Sequence, residues 1–201
     1  MRIKSAGPQL PVINYDTPAQ EVTFRKHGSL FGGESKRALI VGPSGSGKTN
    51  IMISLITHPN GLRFSNVYIY CKSPYQPKYQ YLRKVLEPLK EIGYFEYTDD
   101  KNIVPPNLIR PNSLIIFDDV ASCFQDIMRQ YFSFGRHRNT DCFYLCQTYT
   151  AIPKHLLCDN ATLLILLPQD VLNLKHIYDD DCSLDMTFQE FKELCRLCCC
   201  L

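Results

Sequence analysis

The chain has 201 residues, 45% of them hydrophobic and 21% charged, with 22 Lys and Arg against 20 Asp and Glu for a formal net charge of +2. That apolar content excludes a disordered chain, and the length suits one domain with a substantial core. No run of about eighteen apolar residues occurs, and the opening MRIKSAGPQLPV lacks the apolar centre of a signal peptide, so an intracellular protein that is neither membrane-spanning nor secreted is expected.

Residues 1–30 carry Pro8, Pro11 and Pro18 with little periodicity and read as an extended arm; residues 31–201 read as one domain. Ala38 to Val41 is a short apolar run of the kind that forms a buried strand, and Asn50 to Thr57 (NIMISLIT) continues as an apolar helix that stops at His58-Pro59-Asn60-Gly61. Between them lies GPSGSGKT, Gly42-Pro43-Ser44-Gly45-Ser46-Gly47-Lys48-Thr49, a complete G-x-x-x-x-G-K-[ST] phosphate loop in the required strand-loop-helix order. Gly42, Gly45 and Gly47 permit backbone angles closed to other residues and leave no side chain between amide and anion. The helix behind them adds its positive N-terminal end. Lys48 is expected to reach the β- and γ-phosphates of ATP, and the Thr49 hydroxyl to ligate Mg²⁺.

A strand is predicted over 67–71, a helix over 77–91, and a linker from there through Pro105-Pro106. Lys72, Lys78, Arg83 and Lys84 surround the tyrosine-rich 75–81 segment; they either face nucleic acid or form a solvated helix face with the aromatics in the core. Ser113 to Val120 (SLIIFDDV) reads as a buried parallel strand delivering Asp118 and Asp119 to its C-terminal edge, where ligands sit in doubly wound sheets. Asp118 is the candidate second Mg²⁺ partner and Asp119 the candidate for orienting or deprotonating the attacking water. The plainer reading is an Asp pair capping the helix expected near 122–133.

Gly135-Arg136-His137-Arg138-Asn139 is either a solvated basic turn or the source of a guanidinium, from Arg136 or Arg138, for a neighbouring subunit's phosphoryl group. The strand 142–147 ends in Gln147, whose amide is placed to touch both γ-phosphate and lytic water, or simply begins a turn. Pro153 starts a predicted short helix, 162–167 is an apolar strand, and Asp179-Asp180-Asp181 reads as a solvated acidic loop rather than a metal site. A last helix spans about 187–198, with Thr187 as cap and Glu190 three residues on. The ten cysteines are scattered, Cys71, Cys123, Cys142, Cys146 and Cys158 in or beside core elements, and reduced thiols are expected. The terminal Cys195-x-x-Cys198-Cys199-Cys200 lacks the second ligand pair of a zinc ribbon. Strands alternating with helices predict an α/β fold, a mostly parallel sheet with helices on both faces.

GPSGSGKT, LIIFDDV, YIYCKSPYQPKYQYL (68–82) and the run from Phe132 to Leu166 together resemble the genome-packaging ATPases of Polinton (Maverick) transposons, virophages and large DNA viruses, the poxvirus type included. These belong to the FtsK-HerA superfamily, and the similarity covers about residues 24–195. The resemblance implies a RecA-like P-loop ATPase, a hexamer in the family pattern, that uses ATP and Mg²⁺ to move double-stranded DNA into a capsid. It places Lys48 and Thr49 in the Walker A motif, Asp118 and Asp119 in Walker B, Gln147 at the sensor position, and Arg136 or Arg138 as the arginine presented in trans. Capsid proteins and copies of the chain would be its partners, and the host nucleus or a virion assembly site its location. Asp119 stands where the wider superfamily commonly has Glu, and relatives usually continue beyond the cysteine stretch that closes at Leu201, so the resemblance implies a shortened C-terminal end.

Four rivals face the same residues. A GTPase lacks its N-K-x-D and D-x-x-G segments here, and a transporter ATPase its L-S-G-G-Q. A small-molecule kinase shares the phosphate loop but has less use for paired carboxylates and Gln147, and a nucleotide-binding module without turnover would differ only in failing to hydrolyse.

Overall fold

Six strands, all paired in parallel, form one twisted sheet in the order β3-β2-β4-β5-β1-β6. The computed structural model describes residues 27–31, 35–98, 103–120, 125–134, 139–152 and 160–199. In chain order the elements are β1 (Arg37–Val41), α1 (Lys48–Thr57), β2 (Asn66–Cys71), α2 (Pro77–Leu86), β3 (Gly93–Tyr97), β4 (Ser113–Asp118), α3 (Gln125–Phe134), β5 (Asp141–Cys146), β6 (Leu163–Leu166), α4 (Val171–Ile177) and α5 (Phe188–Cys199). The expected RecA-like α/β architecture is the observed one. Among the described residues no helix is long and apolar enough to cross a membrane.

The pleat sorts side chains between two cores, because successive residues of a strand point to opposite faces. Ala38, Ile40, Val67, Ile69, Leu114, Ile116, Phe143 and Leu145 pack on one face with α1 and α2. Leu39, Val41, Tyr68, Tyr70, Ile115, Phe117, Cys142 and Tyr144 pack on the other with residues of α3, α4 and α5. Both faces are covered, so the central strands are buried along their length, which is why they read as continuous apolar runs. On the second face an aromatic ladder crosses the sheet: Tyr70 stacks on Tyr97 at 4.9 Å and on Phe117 at 5.2 Å, and Phe117 meets Tyr131 edge-on at 5.7 Å. The Tyr70 hydroxyl accepts from the Val104 N–H at 3.1 Å and the Tyr131 hydroxyl donates to the Val104 carbonyl, which ties the segment before Pro105 to the sheet.

The stretches 77–97 and 171–182 depart from expectation. The helix predicted over 77–91 ends at Leu86, because Pro88 has no N–H to continue the helical hydrogen bonding; Glu87 keeps helical angles and its N–H still donates to the Arg83 carbonyl. The chain then enters a sixth strand, β3, rather than a linker: a half-buried edge strand whose Gly93 pairs with Asn66 of β2. The acidic run is also no loop. It forms a wide helical turn (Tyr178–Cys182) that extends α4, with Asp179 paired to Lys175 at 2.8 Å and Asp181 accepting from the Tyr149 hydroxyl at 3.0 Å. α4 itself is capped by Asp170, whose carboxylate accepts from the Asn173 N–H at 2.8 Å.

The cap expected for the last helix is present. The Thr187 N–H donates to Glu190 at 2.8 Å and the Glu190 N–H to the Thr187 hydroxyl at 3.4 Å, the reciprocal pattern of a capping box. Among the described residues, Cys71, Cys142, Cys182 and Cys198 are free thiols. Cys123, Cys158, the predicted helix at Pro153 and residues 1–26 of the expected arm lie outside the described residues. His27 is buried: its Nδ1 accepts from the Arg63 N–H at 3.1 Å, so Nε2 carries the proton and donates to Asp141 Oδ1 at 3.2 Å.

Candidate functional site

All six strands point their C-terminal ends to one edge, and the sheet order decides what meets there. β5 lies between β1 and β4, so the residue after β5 stands between the glycine loop that follows β1 and the aspartates that end β4. A cleft of about 270 Å³ opens at this place, lined by Lys48, Thr49, Asp118, Asp119 and Gln147 among others.

The glycine loop is shaped by two distinct constraints. Gly45 and Gly47 have φ of 76° and 101°, the left-handed region that disfavours side chains, and a Cβ on either would meet nothing within 4 Å. At these positions conformation requires glycine. Gly42 has ordinary angles, but a Cβ there would come within 2.6 Å of Ser46 Oγ and 2.7 Å of Leu167 Cβ, so room requires it. The conformational reason expected for all three glycines is thereby corrected for Gly42. Gly47 is also the N-cap of α1, which leaves Lys48 and Thr49 in the first turn, where backbone N–H groups lack helical acceptors. Lys48 Nζ donates to the carbonyls of Gly42 at 2.6 Å and Pro43 at 2.9 Å, which holds its ammonium over the loop. Ser46 Oγ is buried without a hydrogen-bond partner among the described residues.

Asp118 continues the parity of Leu114 and Ile116 and therefore faces the α1–α2 side. There the Thr49 hydroxyl lies 3.4 Å from its Oδ2, and the Tyr79 hydroxyl of α2 donates to the same oxygen. Burial raises the Asp118 pKa; the Tyr79 and Thr49 hydrogen bonds and the Lys48 charge pull against it, while neighbouring Asp119 adds to the rise. Asp119 is exposed and sits at φ 57°, a left-handed angle that Asp tolerates better than most residues. Gln147 Nε2 donates to Asp119 Oδ2 at 3.1 Å.

The structure thus gathers Lys48, Thr49, Asp118, Asp119 and Gln147 into one cleft. Arg136 and Arg138 lie outside the described residues. Tyr79 is an addition to the predicted set. Its ring is core, 2% exposed, and only the pleat parity of β4 brings its hydroxyl to Asp118, so no sequence spacing points to it. Lys72 and Lys78, read as candidates to face nucleic acid, line the same cleft, whereas Arg83 donates through Nε to Glu96 of β3 at 3.2 Å and Lys84 is exposed. Lys48, Lys72 and Lys78 against Asp118 and Asp119 give the described cleft a positive excess suited to a polyanion.

Residues 24–167 match the family model described as Poxvirus A32 protein. The chain belongs to the poxvirus A32 protein family. Among curated relatives, it is 27% identical over 137 residues to "DNA packaging protein OPG160" of Monkeypox virus, a match covering 58% of this chain and 43% of that protein. The proteins of the same name in Variola virus and Vaccinia virus (strain Copenhagen) match at 27% identity over 137 residues, with 58% of this chain and 47% of theirs covered. The A32-family chain therefore matches under half the length of these relatives. A RuvB variant from Thermotoga maritima shares 12% identity at a TM-score of 0.38, over 74% of this chain and 43% of that one.

Proposed function

We propose that this A32-family chain is an ATPase whose hydrolysis of ATP drives double-stranded DNA into a capsid, working as a ring of copies, six in the family pattern. The observation that carries the ATPase reading is the convergence of Lys48, Thr49, Asp118, Asp119 and Gln147 on one cleft beside a glycine loop. The packaging role is supported by family membership and by the relatives' names.

The residues present fit both nucleotide and metal. Open space over Gly45 and Gly47, the unpartnered Ser46 hydroxyl and the first-turn amides of α1 suit phosphate oxygens. A hydroxyl and a carboxylate, Thr49 and Asp118, are the hard oxygen donors that Mg²⁺ takes. Mg²⁺, when bound, neutralises charge on the β- and γ-phosphates. Thr49 would ligate it, with Asp118 holding its shell, and Lys48 would exchange its loop carbonyls for phosphate oxygens. Asp119, exposed at the cleft, orients the attacking water and takes its proton. One N–H of the Gln147 amide is engaged by Asp119, and its carbonyl oxygen is left to accept from that water. Arg136 or Arg138 of a neighbouring copy would stabilise charge on the transferring phosphoryl group.

Steady-state ATP hydrolysis, measured with and without long double-stranded DNA beside a Lys48→Ala control, tests this. Stimulation by DNA and a dead control support the motor. ATP binding without turnover under either condition would make the chain a nucleotide-binding interaction module instead, and phosphate transfer to a small acceptor would make it a kinase.

A further inference from the structure

Asp118 Oδ2 accepts two hydroxyls, from Thr49 at 3.4 Å and from Tyr79, while Oδ1 makes no hydrogen bond among the described residues. The two donors come from different helices, α1 and α2, on the face to which the β4 pleat directs Asp118. A carboxylate held at one oxygen by two fixed donors cannot rotate about its χ2, and its other oxygen is left for the cleft. At 3.4 Å the Thr49 hydroxyl is the weaker of the two restraints, and its oxygen would also serve the metal, so the Tyr79 hydroxyl is the principal anchor of Oδ2. The Tyr79 ring is buried in the core cluster that also holds Met52, Ile53 and Leu82, where close packing restricts its movement.

We propose that Tyr79 is a positioning residue for Mg²⁺: its hydroxyl fixes the Asp118 carboxylate in the orientation that holds the metal's coordination shell, and so couples the β2–α2 segment to the metal-loaded state. The inference rests on the nucleotide reading above. It differs from the ordinary need of a buried tyrosine to find an acceptor, which would make Tyr79 matter to folding alone. The Tyr79 hydroxyl holds Oδ2 from a buried position, while the Thr49 oxygen would be shared with the metal, so a positioning role shows in the Mg²⁺-dependent affinity and not in folding alone. Lys72 and Lys78, which flank α2's start and line the same cleft, would then be carried by an element anchored on the metal's own partner.

The test is calorimetric titration of the full chain with ADP, once in EDTA and once in MgCl₂. The readout is the ratio of the two affinities. Outer partners of metal ligands change metal affinity by about 10–100-fold when removed, so Tyr79→Phe should leave the EDTA affinity unchanged and cut the Mg²⁺-dependent gain about 10-fold. Asp118→Asn should cut it at least as far, and the double variant should lose no more than Asp118→Asn alone, since one residue acts through the other. Tyr94→Phe removes another partly buried tyrosine hydroxyl from a carboxylate, Glu96 at 3.2 Å, outside the cleft, and should leave the ratio at the wild-type value. Thermal melts of each variant separate folding from binding. The proposal is overturned if Tyr79→Phe keeps the wild-type ratio, loses affinity equally in EDTA and Mg²⁺, or adds its loss to that of Asp118→Asn. If wild-type protein binds no ADP in either buffer, the nucleotide reading falls and this one with it.

Discussion

Gln147 Nε2 donates to Asp119 Oδ2 at 3.1 Å across the seam between β5 and β4. One residue past each strand, the two side chains meet where β5 and β4 both leave the sheet, and each fixes the other's orientation. Gln147→Ala removes the restraint and the water's acceptor but touches no phosphate-binding group. Hydrolysis should fall by about 10²-fold, at the lower end for a positioned acid-base partner, with ATP affinity within about two-fold of wild type. Steady-state rates paired with ATP titration check it, and a proportionate loss of affinity would instead make Gln147 a binding residue.

Asp119 combines a chemical and a conformational requirement, and substitutions separate them. Asp119→Asn keeps a side chain that accepts φ 57°, so its stability should stay within about 0.5 kcal/mol while hydrolysis drops at least about 10²-fold. Asp119→Val places a β-branched residue in the left-handed region and should cost about 1–3 kcal/mol. Urea unfolding of the two variants distinguishes them.

Burial raises the Asp118 pKa above its unfolded value of about 3.9. The folded state therefore keeps its proton to higher pH than the unfolded state. Stability conferred by the protonated group is fully present below the unfolded value and is lost as pH rises through the folded one. Asp118→Asn escapes that loss. At pH 7 it should melt higher than wild type, and the two should converge near pH 4 while the variant fails to hydrolyse ATP. Melting curves at stepped pH read both limbs.

Cys71 lines the cleft, yet burial first, then the charges of Glu96 and Asp118, push its thiol up to about 12. The thiolate is the reactive form. Iodoacetamide at pH 7.5 should modify exposed Cys198 well before Cys71, as peptide mass spectrometry at timed intervals would record.

What the residues reveal in sequence depends on how uniform their surroundings are. β1, β2, β4 and β5 are legible because each is buried on both faces and so is apolar along most of its length, and the glycine loop because its chemistry is local. β3 escapes because it is a half-buried edge: Gly93-Tyr94-Phe95-Glu96-Tyr97 mixes core rings with Glu96, whose partner Arg83 lies on a helix. Its aromatic density is the signal that could have found it. α4 carries a readable one as well, the Asp170 cap before Val171-Leu172, but the helix has only seven residues, too few for helical periodicity to declare itself. Tyr79 and Leu167 have none, since each reaches the site through strand order: Tyr79 because α2 lies over β4's parity, Leu167 because β6 lies beside β1.

β5 holds more than the position of Gln147. Its six residues are all buried, and the strand pairs on both sides, with β1 through Cys142–Cys146 and with β4 through Asp141–Leu145, over a span of about 20 Å. At its first residue Asp141 grips His27 and the Lys36 N–H at 2.8 Å; just past its last, Gln147 grips Asp119. The strand is thus a stiff strut loaded at both ends. A pull on the chain at His27 or at Lys36 and a change in the cleft act on the same rod, in series.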